Sequence, residues 1–436
     1  MQLCCSVFMF YIFEIFFVLT CILNSSCGRR FDYYPGYYGE QENKAKLALE
    51  KLEHAPQWVK NWPDASVKMG QVSGVALDNS GNVLVFHRGH NVWDANTFSD
   101  KDIYLNLAEP PISQPTILVF NETGDLIDMW GENLFHMPHG ITVDSESNVW
   151  VTDVAMHQVF KFNPQDRENP VLVLGEKFVP RDDETHFCKP SAVAVMSNGD
   201  FFVADGYCNT RIIKYAADGS KLLQFGRRAG ESPFVFQVPH ALTLAEDRGL
   251  VCCADRERGR AACFRADNGT YVTAFRSWLI GPRLFSVAYA PIHGGRLYVV
   301  NGPSGSREIP VRGYVIDFNS GRLIQTFAPD GGLSNPHDVV VSPDGSRVYV
   351  AELNPYKVYK FVDDQLKNER KEVKNVTIPA KPTATIEASS VGAEGARWAW
   401  RGAAAGAAGA ALLAAAALAL LRARNNGKGR EAQPLM

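Results

Sequence analysis

Three histidines in this chain hold one place in a repeated phrase. "PHGITV" runs from Pro138, "PHALTL" from Pro239 and "PHDVVV" from Pro336, while "PSAVAV" from Pro190 is a fourth copy without the ring. A neutral imidazole is a nitrogen ligand for zinc, and three of them leave the fourth position open for water or substrate, as in catalytic zinc sites. A lone histidine at the end of a strand is usually structural. Recurrence at one register, each time behind a proline, singles out His139, His240 and His337 as candidate zinc ligands. A second recurrence lies in the turns "FHRG", "DGYC" and "ADRE", which put Arg88, Tyr207 and Arg256 at nearly equivalent places. Two guanidiniums and a phenol beside a metal fit an anionic substrate, because the planar fork of arginine matches a carboxylate.

The elements that must position these residues repeat as well. Each unit opens with an alternating apolar strand, turns through Gly, Asn, Asp or Ser, and enters a second strand. The copies begin "VSGVAL", "PHGITV", "PSAVAV", "PHALTL", "LFSVAY" and "PHDVVV". Aligned on the third residue they fall at Gly74, Gly140, Ala192, Ala241, Ser286 and Asp338, with spacings of 66, 52, 49, 45 and 52 residues. That period and the short alternating strands predict an all-β, six-bladed β-propeller over about residues 60–365, closed by pairing its two sequence extremes. In such a ring the histidine-bearing units are the second, fourth and sixth. Alternate blades stand about 120° apart around the axis, so their first strands can aim three side chains at one point.

The ends read differently. Residues 1–28 contain the apolar run "SVFMFYIFEIFFVLTCIL" and are expected to be a signal peptide, although Glu14 interrupts the run and no basic stretch precedes it. Residues 29–59 form a lead-in with a short helix in "ENKAKLALEKLEHA". Residues 366–401, rich in Lys, Thr, Ala and Ser, read as a flexible stalk. Residues 402–421 are about the length of a membrane-crossing helix, and the basic 422–436 would be its short cytoplasmic tail. The expectation is a monomeric protein of the secretory pathway, in granules or outside the cell, anchored as a single-pass type I membrane protein. Sequons at Asn121, Asn268 and Asn375 accord with that route. The net charge of −3, with no long basic run in the body, argues against a nucleic-acid binder.

Of the nine cysteines, five lie in the repeats. Cys188 precedes the strand leading to "DGYC", so a bridge to Cys208 would clamp the turn holding Tyr207. Cys252 and Cys263 flank "ADRERGR" on adjacent strands, and a bridge there would hold Arg256 in the same way. Cys253 then faces the opposite side as a buried thiol.

"GQVSGVAL", "FHRGHNVWD", "PHGITVD", "VWVTDVAMHQVFKF", "HFCKPSAVAV", "DGYCNTRI", "VPHALTL", "ADRERGR" and "NPHDVVV" closely resemble the peptidyl-α-hydroxyglycine α-amidating lyase family, from about Gly70 to Phe361. The resemblance implies a six-bladed propeller of NHL-like repeats with an axial zinc, a structural calcium and the two disulfides. It matches His139, His240 and His337 to zinc ligands and Asp338 to the calcium carboxylate. Val75 and Ile141 match positions that lend backbone carbonyls to that ion. Tyr207 matches the catalytic tyrosine, with Arg88 and Arg256 as the active-site arginines. Asn335 departs from the pattern, standing where methionine is expected. No copper monooxygenase region precedes the repeats, so the expected substrate is hydroxylated peptide released by a separate enzyme.

The implied activity is that of a lyase. It cleaves the C–N bond of a peptide ending in α-hydroxyglycine, giving the peptide amide and glyoxylate, the second step of neuropeptide and peptide-hormone amidation. Tyr207 would act as base, with positive charge from zinc and an arginine lowering its pKa from about 10. Either Arg88 or Arg256 would hold the terminal carboxylate. Two other readings of a six-bladed ring are a non-catalytic binding scaffold and a calcium-dependent hydrolase, whose axial metal is held chiefly by carboxylates and Asn. Imidazoles at alternate units argue for zinc chemistry instead.

Overall fold

The computed structural model describes residues 43–226, 234–305 and 309–375. The signal, membrane-helix and tail segments expected from the sequence lie outside the described residues. Among the described residues no helix is long and apolar enough to cross a membrane.

Six four-stranded antiparallel sheets stand around one axis. Their first strands are Val72–Leu77, Pro138–Val143, Pro190–Val195, Pro239–Ala245, Leu284–Ala290 and Pro336–Val341. Each packs against the first strand of the next sheet, and the last packs against the first, so these six line the channel. The ring closes because Gln57–Trp58 pairs with Lys357–Val362 as the outermost strand of the sixth blade, in the register Gln57 to Val362 and Trp58 to Phe361. The sequence extremes therefore meet as expected, and the open edge that a radial array would leave is covered.

The alternating pattern buries side chains between neighbouring sheets. Leu84, Phe86 and Ile117 of the first blade pack with Val149, Val151 and Phe160 of the second. Trp150 of the second blade lies with its ring centroid 4.5 Å from that of Phe201 in the third. Each such side chain contributes about 1.5–3 kcal/mol through burial, so the blades are held face to face by their own second and third strands.

A helix over residues 43–49 buries Ala45 against the fourth and fifth blades. The chain leaves the sixth blade through Asp363, whose carboxylate accepts the backbone N–H of Gln365 and Leu366 at 3.1 and 3.2 Å and so caps a helix over Asp364–Asn375. The expected flexible stalk therefore opens as a helix; the remainder of that segment lies outside the described residues. Of the sequons, Asn268 is exposed on a turn, Asn121 folds its amide back onto its own turn through Asp125, and Asn375 ends the helix.

Candidate metal centre and catalytic mouth

Every first strand slips register at its second residue. The shifts fall between Val72 and Gly74, Pro138 and Ile141, Pro190 and Ala192, Pro239 and Ala241, Leu284 and Ser286, and Pro336 and Asp338. A β-bulge leaves one residue out of the ladder and re-aims it. The residues set free are His139, His240 and His337 in the even blades, and Ser73, Ser191 and Phe285 in the odd ones.

The two sets meet. His139 Nδ1 donates to the Ser191 carbonyl at 2.7 Å, His240 Nδ1 to the Phe285 carbonyl at 2.7 Å, and His337 Nδ1 to the Ser73 carbonyl at 2.6 Å. A carbonyl can only accept, so each Nδ1 carries the proton and each Nε2 keeps a lone pair. The ring centroids stand 4.6–4.9 Å apart, and one ligand atom from each lies within 4.8 Å of the others. Gly140 permits one of these contacts, since a Cβ there would come within 2.4 Å of the Ser191 carbonyl oxygen.

Each histidine is also approached from a fixed direction. The backbone N–H groups two and three residues ahead of it are bound by the acid ending the second strand of the same blade. Asp153 accepts from His136 and Met137 at 2.7 and 2.8 Å. Asp255 accepts from Gln237 and Val238 at 2.8 and 3.3 Å, and Glu352 from Ser334 and Asn335 at 2.5 and 2.8 Å. Asn335 thus works here through its backbone, whichever side chain it carries.

Burial depresses all three imidazoles, His337 to about 3 and His139 and His240 well below 6.5, aided by the neighbouring rings and arginines. They are neutral, the form that binds metal. Tyr207 completes the case for a cation. Its hydroxyl lies 2.8 Å from His139 Nε2 and 2.9 Å from His240 Nε2. One phenolic proton serves one acceptor, so the other Nε2 faces an oxygen lone pair. Converging unpaired lone pairs of this kind fit a bound metal ion.

One residue along, the Asp338 carboxylate is buried, and desolvation raises it to about 6. Its oxygens accept from Val75 N–H at 3.0 Å, Ser286 Oγ at 2.7 Å and Val339 N–H at 2.9 Å. All three partners are neutral, and a buried carboxylate without a cation suits a hard ion. Asp338, Val75 and Ile141, the residues matched to calcium, all line one axial cavity of about 240 Å³.

The mouth gathers Arg88, Tyr207 and Arg256, as the turn alignment expects. Arg88 is fully buried; its Nε donates to the Pro138 carbonyl at 3.0 Å and its Nη1 to Gln71 Oε1 at 2.7 Å. Its buried Nη2 has no partner among the described residues. Arg256 lies over the Tyr207 ring, 5.0 Å from its centroid, and donates Nη1 to the hydroxyl at 3.4 Å. Burial pushes the Tyr207 phenol above 10 while the Arg256 and Arg88 charges pull it down, so the protein groups alone do not produce the expected lowering.

Four further residues at the mouth escape the alignment because they belong to no repeat position. Glu257 Oε1 accepts from Arg256 Nε at 2.8 Å and from Arg283 Nη2 at 2.9 Å, bringing in a third guanidinium. Trp93 lies 4.8 Å from the Tyr207 ring, centroid to centroid, and Gln71 binds its backbone. The 66-residue first spacing is the one signal for the last two, since the excess length is the loop that carries Trp93. Cys188–Cys208 and Cys252–Cys263 are both bridged and Cys253 is a buried free thiol, as the spacing expects.

Residues 135–162 and 187–215 match the NHL repeat. The chain is 46% identical to "Peptidyl-alpha-hydroxyglycine alpha-amidating lyase 1" of Drosophila melanogaster over 74% of this chain and 62% of that one. It is 42% identical to the corresponding lyase 2 of the same fly, over 70% of this chain and 75% of that one. It is also 42% identical to "Peptidyl-glycine alpha-amidating monooxygenase B" of Xenopus laevis, over 75% of this chain and 38% of the frog protein. The chain thus spans less than two thirds of the fly lyase 1 and of the frog protein.

Proposed function

The chain belongs to the peptidyl-α-hydroxyglycine α-amidating lyase family, and on that premise we propose that it is a zinc-dependent lyase. It converts a peptide ending in α-hydroxyglycine into the peptide amide and glyoxylate. The observation that carries this reading is the convergence of three neutral imidazoles on one point, with the Tyr207 hydroxyl between His139 and His240.

His139, His240 and His337 would hold the zinc, which when bound would supply Lewis acidity and positive charge. Arg88, with its unpartnered Nη2, takes the terminal carboxylate; the Arg256 guanidinium is already engaged by Glu257 and Tyr207. That orientation presents the carbinol hydroxyl to Tyr207. As phenolate, a form that would need the charge of the bound ion beside those of Arg256 and Arg88, Tyr207 accepts the hydroxyl proton, the carbon–oxygen bond becomes a carbonyl, and the C–N bond breaks. The departing amide nitrogen needs one proton, which the Tyr207 phenol returns. Arg256 steadies the phenolate while it exists. Trp93 covers the ring and limits water around it.

Asp338 with Val75 and Ile141 would hold a calcium ion, a hard cation that would neutralise the carboxylate and favour the closed ring. The peptide arrives already hydroxylated from a separate monooxygenase. The disulfides accord with a secretory-pathway location, and the C-terminal apolar segment would serve there as a membrane anchor. Metal analysis of the purified protein together with glyoxylate release from an α-hydroxyglycine peptide tests the reading. Stoichiometric zinc and glyoxylate formation are expected. Protein that is folded and zinc-loaded yet releases no glyoxylate overturns it.

A further inference from the structure

The longest connection in the ring runs from His87, at the end of the second strand of the first blade, to Ile117 at the start of the third. It is fastened rather than free. Asn91 Nδ2 donates to the His136 carbonyl at 2.8 Å, Ile112 N–H to the Phe135 carbonyl at 2.8 Å, and Lys189 Nζ reaches Asp102 Oδ1 at 2.5 Å. Tyr104 is buried beside His136 and Phe178. The loop therefore spans three blades and lays Trp93 along the mouth.

One side-chain oxygen joins this loop to the buried arginine. Gln71 Oε1 accepts from Arg88 Nη1 at 2.7 Å and from Trp93 N–H at 3.0 Å. The Arg88 guanidinium carbon stands 5.3 Å from the Trp93 ring centroid. Arg88 N–H also donates to the Gln71 carbonyl at 3.0 Å, which fixes the two backbones to each other. An amide oxygen with two lone pairs can satisfy both donors without introducing charge. A neutral acceptor is what a carboxylate-binding arginine requires, because a carboxylate in its place would neutralise the guanidinium.

We propose that Gln71 is a positioning residue: its amide oxygen sets Arg88 and the Trp93 loop in one fixed relation, so that the open Nη2 of Arg88 meets the substrate carboxylate. This rests on the lyase reading for the identity of the substrate. It predicts that removing the amide weakens recognition of the carboxylate more than any other function of the site and leaves the three histidines in place.

The test compares wild type, Gln71→Ala and Gln71→Glu on two α-hydroxyglycine peptides, one with a free carboxylate and one with that group converted to a carboxamide. Calorimetry with a peptide ending in unhydroxylated glycine adds a readout that needs no turnover. Gln71→Ala should raise KM for the carboxylate substrate and weaken the glycine peptide by about tenfold or more, the scale of a lost hydrogen bond to a charged group. Its zinc content should stay that of wild type, and its loss on the carboxamide should be clearly smaller than its loss on the carboxylate. Gln71→Glu keeps both contacts, so it should restore thermal stability but not carboxylate affinity. Equal losses on both substrates, or unchanged glycine-peptide affinity in Gln71→Ala, overturn the proposal. A wild type that binds no glycine peptide overturns it as well. Failure of the lyase reading alone would look different: no glyoxylate from wild type, with the affinity difference still present.

Discussion

Even and odd blades use the same bulge for different ends. In the second, fourth and sixth blades the freed residue contributes a side chain, His139, His240 or His337. In the first, third and fifth it contributes a backbone carbonyl to the histidine of the preceding blade. A ring of equal repeats thus becomes a three-fold arrangement of donor and acceptor pairs. At the bulge itself only the even half depends on residue type, so substitutions there separate side-chain from main-chain roles.

The largest effect should come from the even side. His240→Ala removes one of the three proposed ligands and leaves the Phe285 carbonyl without its donor. Zinc content by atomic spectroscopy and glyoxylate release should both fall to background, whereas a folded variant with full zinc would remove His240 from the ligand set. Next comes Asp255→Ala, which frees the lead-in to His240 and leaves Arg260 unpaired; the two form a buried pair at 2.7 Å. Breaking such a pair costs about 3–5 kcal/mol, read as a lower midpoint in chemical denaturation. A midpoint within error of wild type would show that the acid does not hold the strand.

Tyr207→Phe tests the group between the rings. It should lower kcat about a hundredfold or more with zinc retained, the scale of lost acid–base help. Turnover near wild type would take the tyrosine out of the proton transfer. Tyr207 belongs to the third blade, so the odd half is not wholly main-chain in its contribution; its side chain enters from the turn and not from the bulge.

Much of this was legible in the residues. Period 2 alternation and a near-constant spacing are enough to specify blades, and three histidines at one register in alternate blades specify a point on the axis. The pairing of Cys188 with Cys208 and of Cys252 with Cys263 follows from strand adjacency. The bulge is not legible, because an extra residue in a ladder leaves no mark in a pattern of apolar positions. The acceptor role of Ser73, Ser191 and Phe285 is likewise hidden, since every residue type has the carbonyl. Glu257 and Arg283 act through contacts that cross blades and appear at no shared register. The helix over Asp364–Asn375 is hidden at the start of the expected stalk because its sequence, "DQLKNERKEVKN", is almost wholly polar, and its one described buried anchor is Leu366.

The third blade's lead-in adds a pH-sensitive contact to a feature it shares with the even blades. Asp205, the acid ending its second strand, accepts from Cys188 N–H at 2.8 Å. Just ahead of Cys188, the His186 ring is bound by Asp183 at 2.8 Å and Glu176 at 2.8 Å. Both carboxylates raise its pKa above 6.5, the Glu176 hydrogen bond most. A pKa raised on folding gives stability that is complete below 6.5 and disappears as pH rises through the folded value. The melting temperature of wild type should therefore exceed that of His186→Gln at about pH 5.5, and the gap should close by about pH 8.5. A gap that persists at the higher pH would mean that the ring acts by packing and not by charge.

The smallest expected effect separates the halves most cleanly. Ser73→Ala keeps the carbonyl that accepts from His337 and removes only a hydroxyl, whose contact with the Phe86 carbonyl is a long 3.3 Å. A bond of that kind is worth at most about 1 kcal/mol, so stability should shift little. Zinc content and kcat should match wild type, because His337 is oriented by main chain. Loss of zinc in Ser73→Ala would mean that the odd blades also hold the ion through their side chains, and the division of labour between the two bulges would no longer stand.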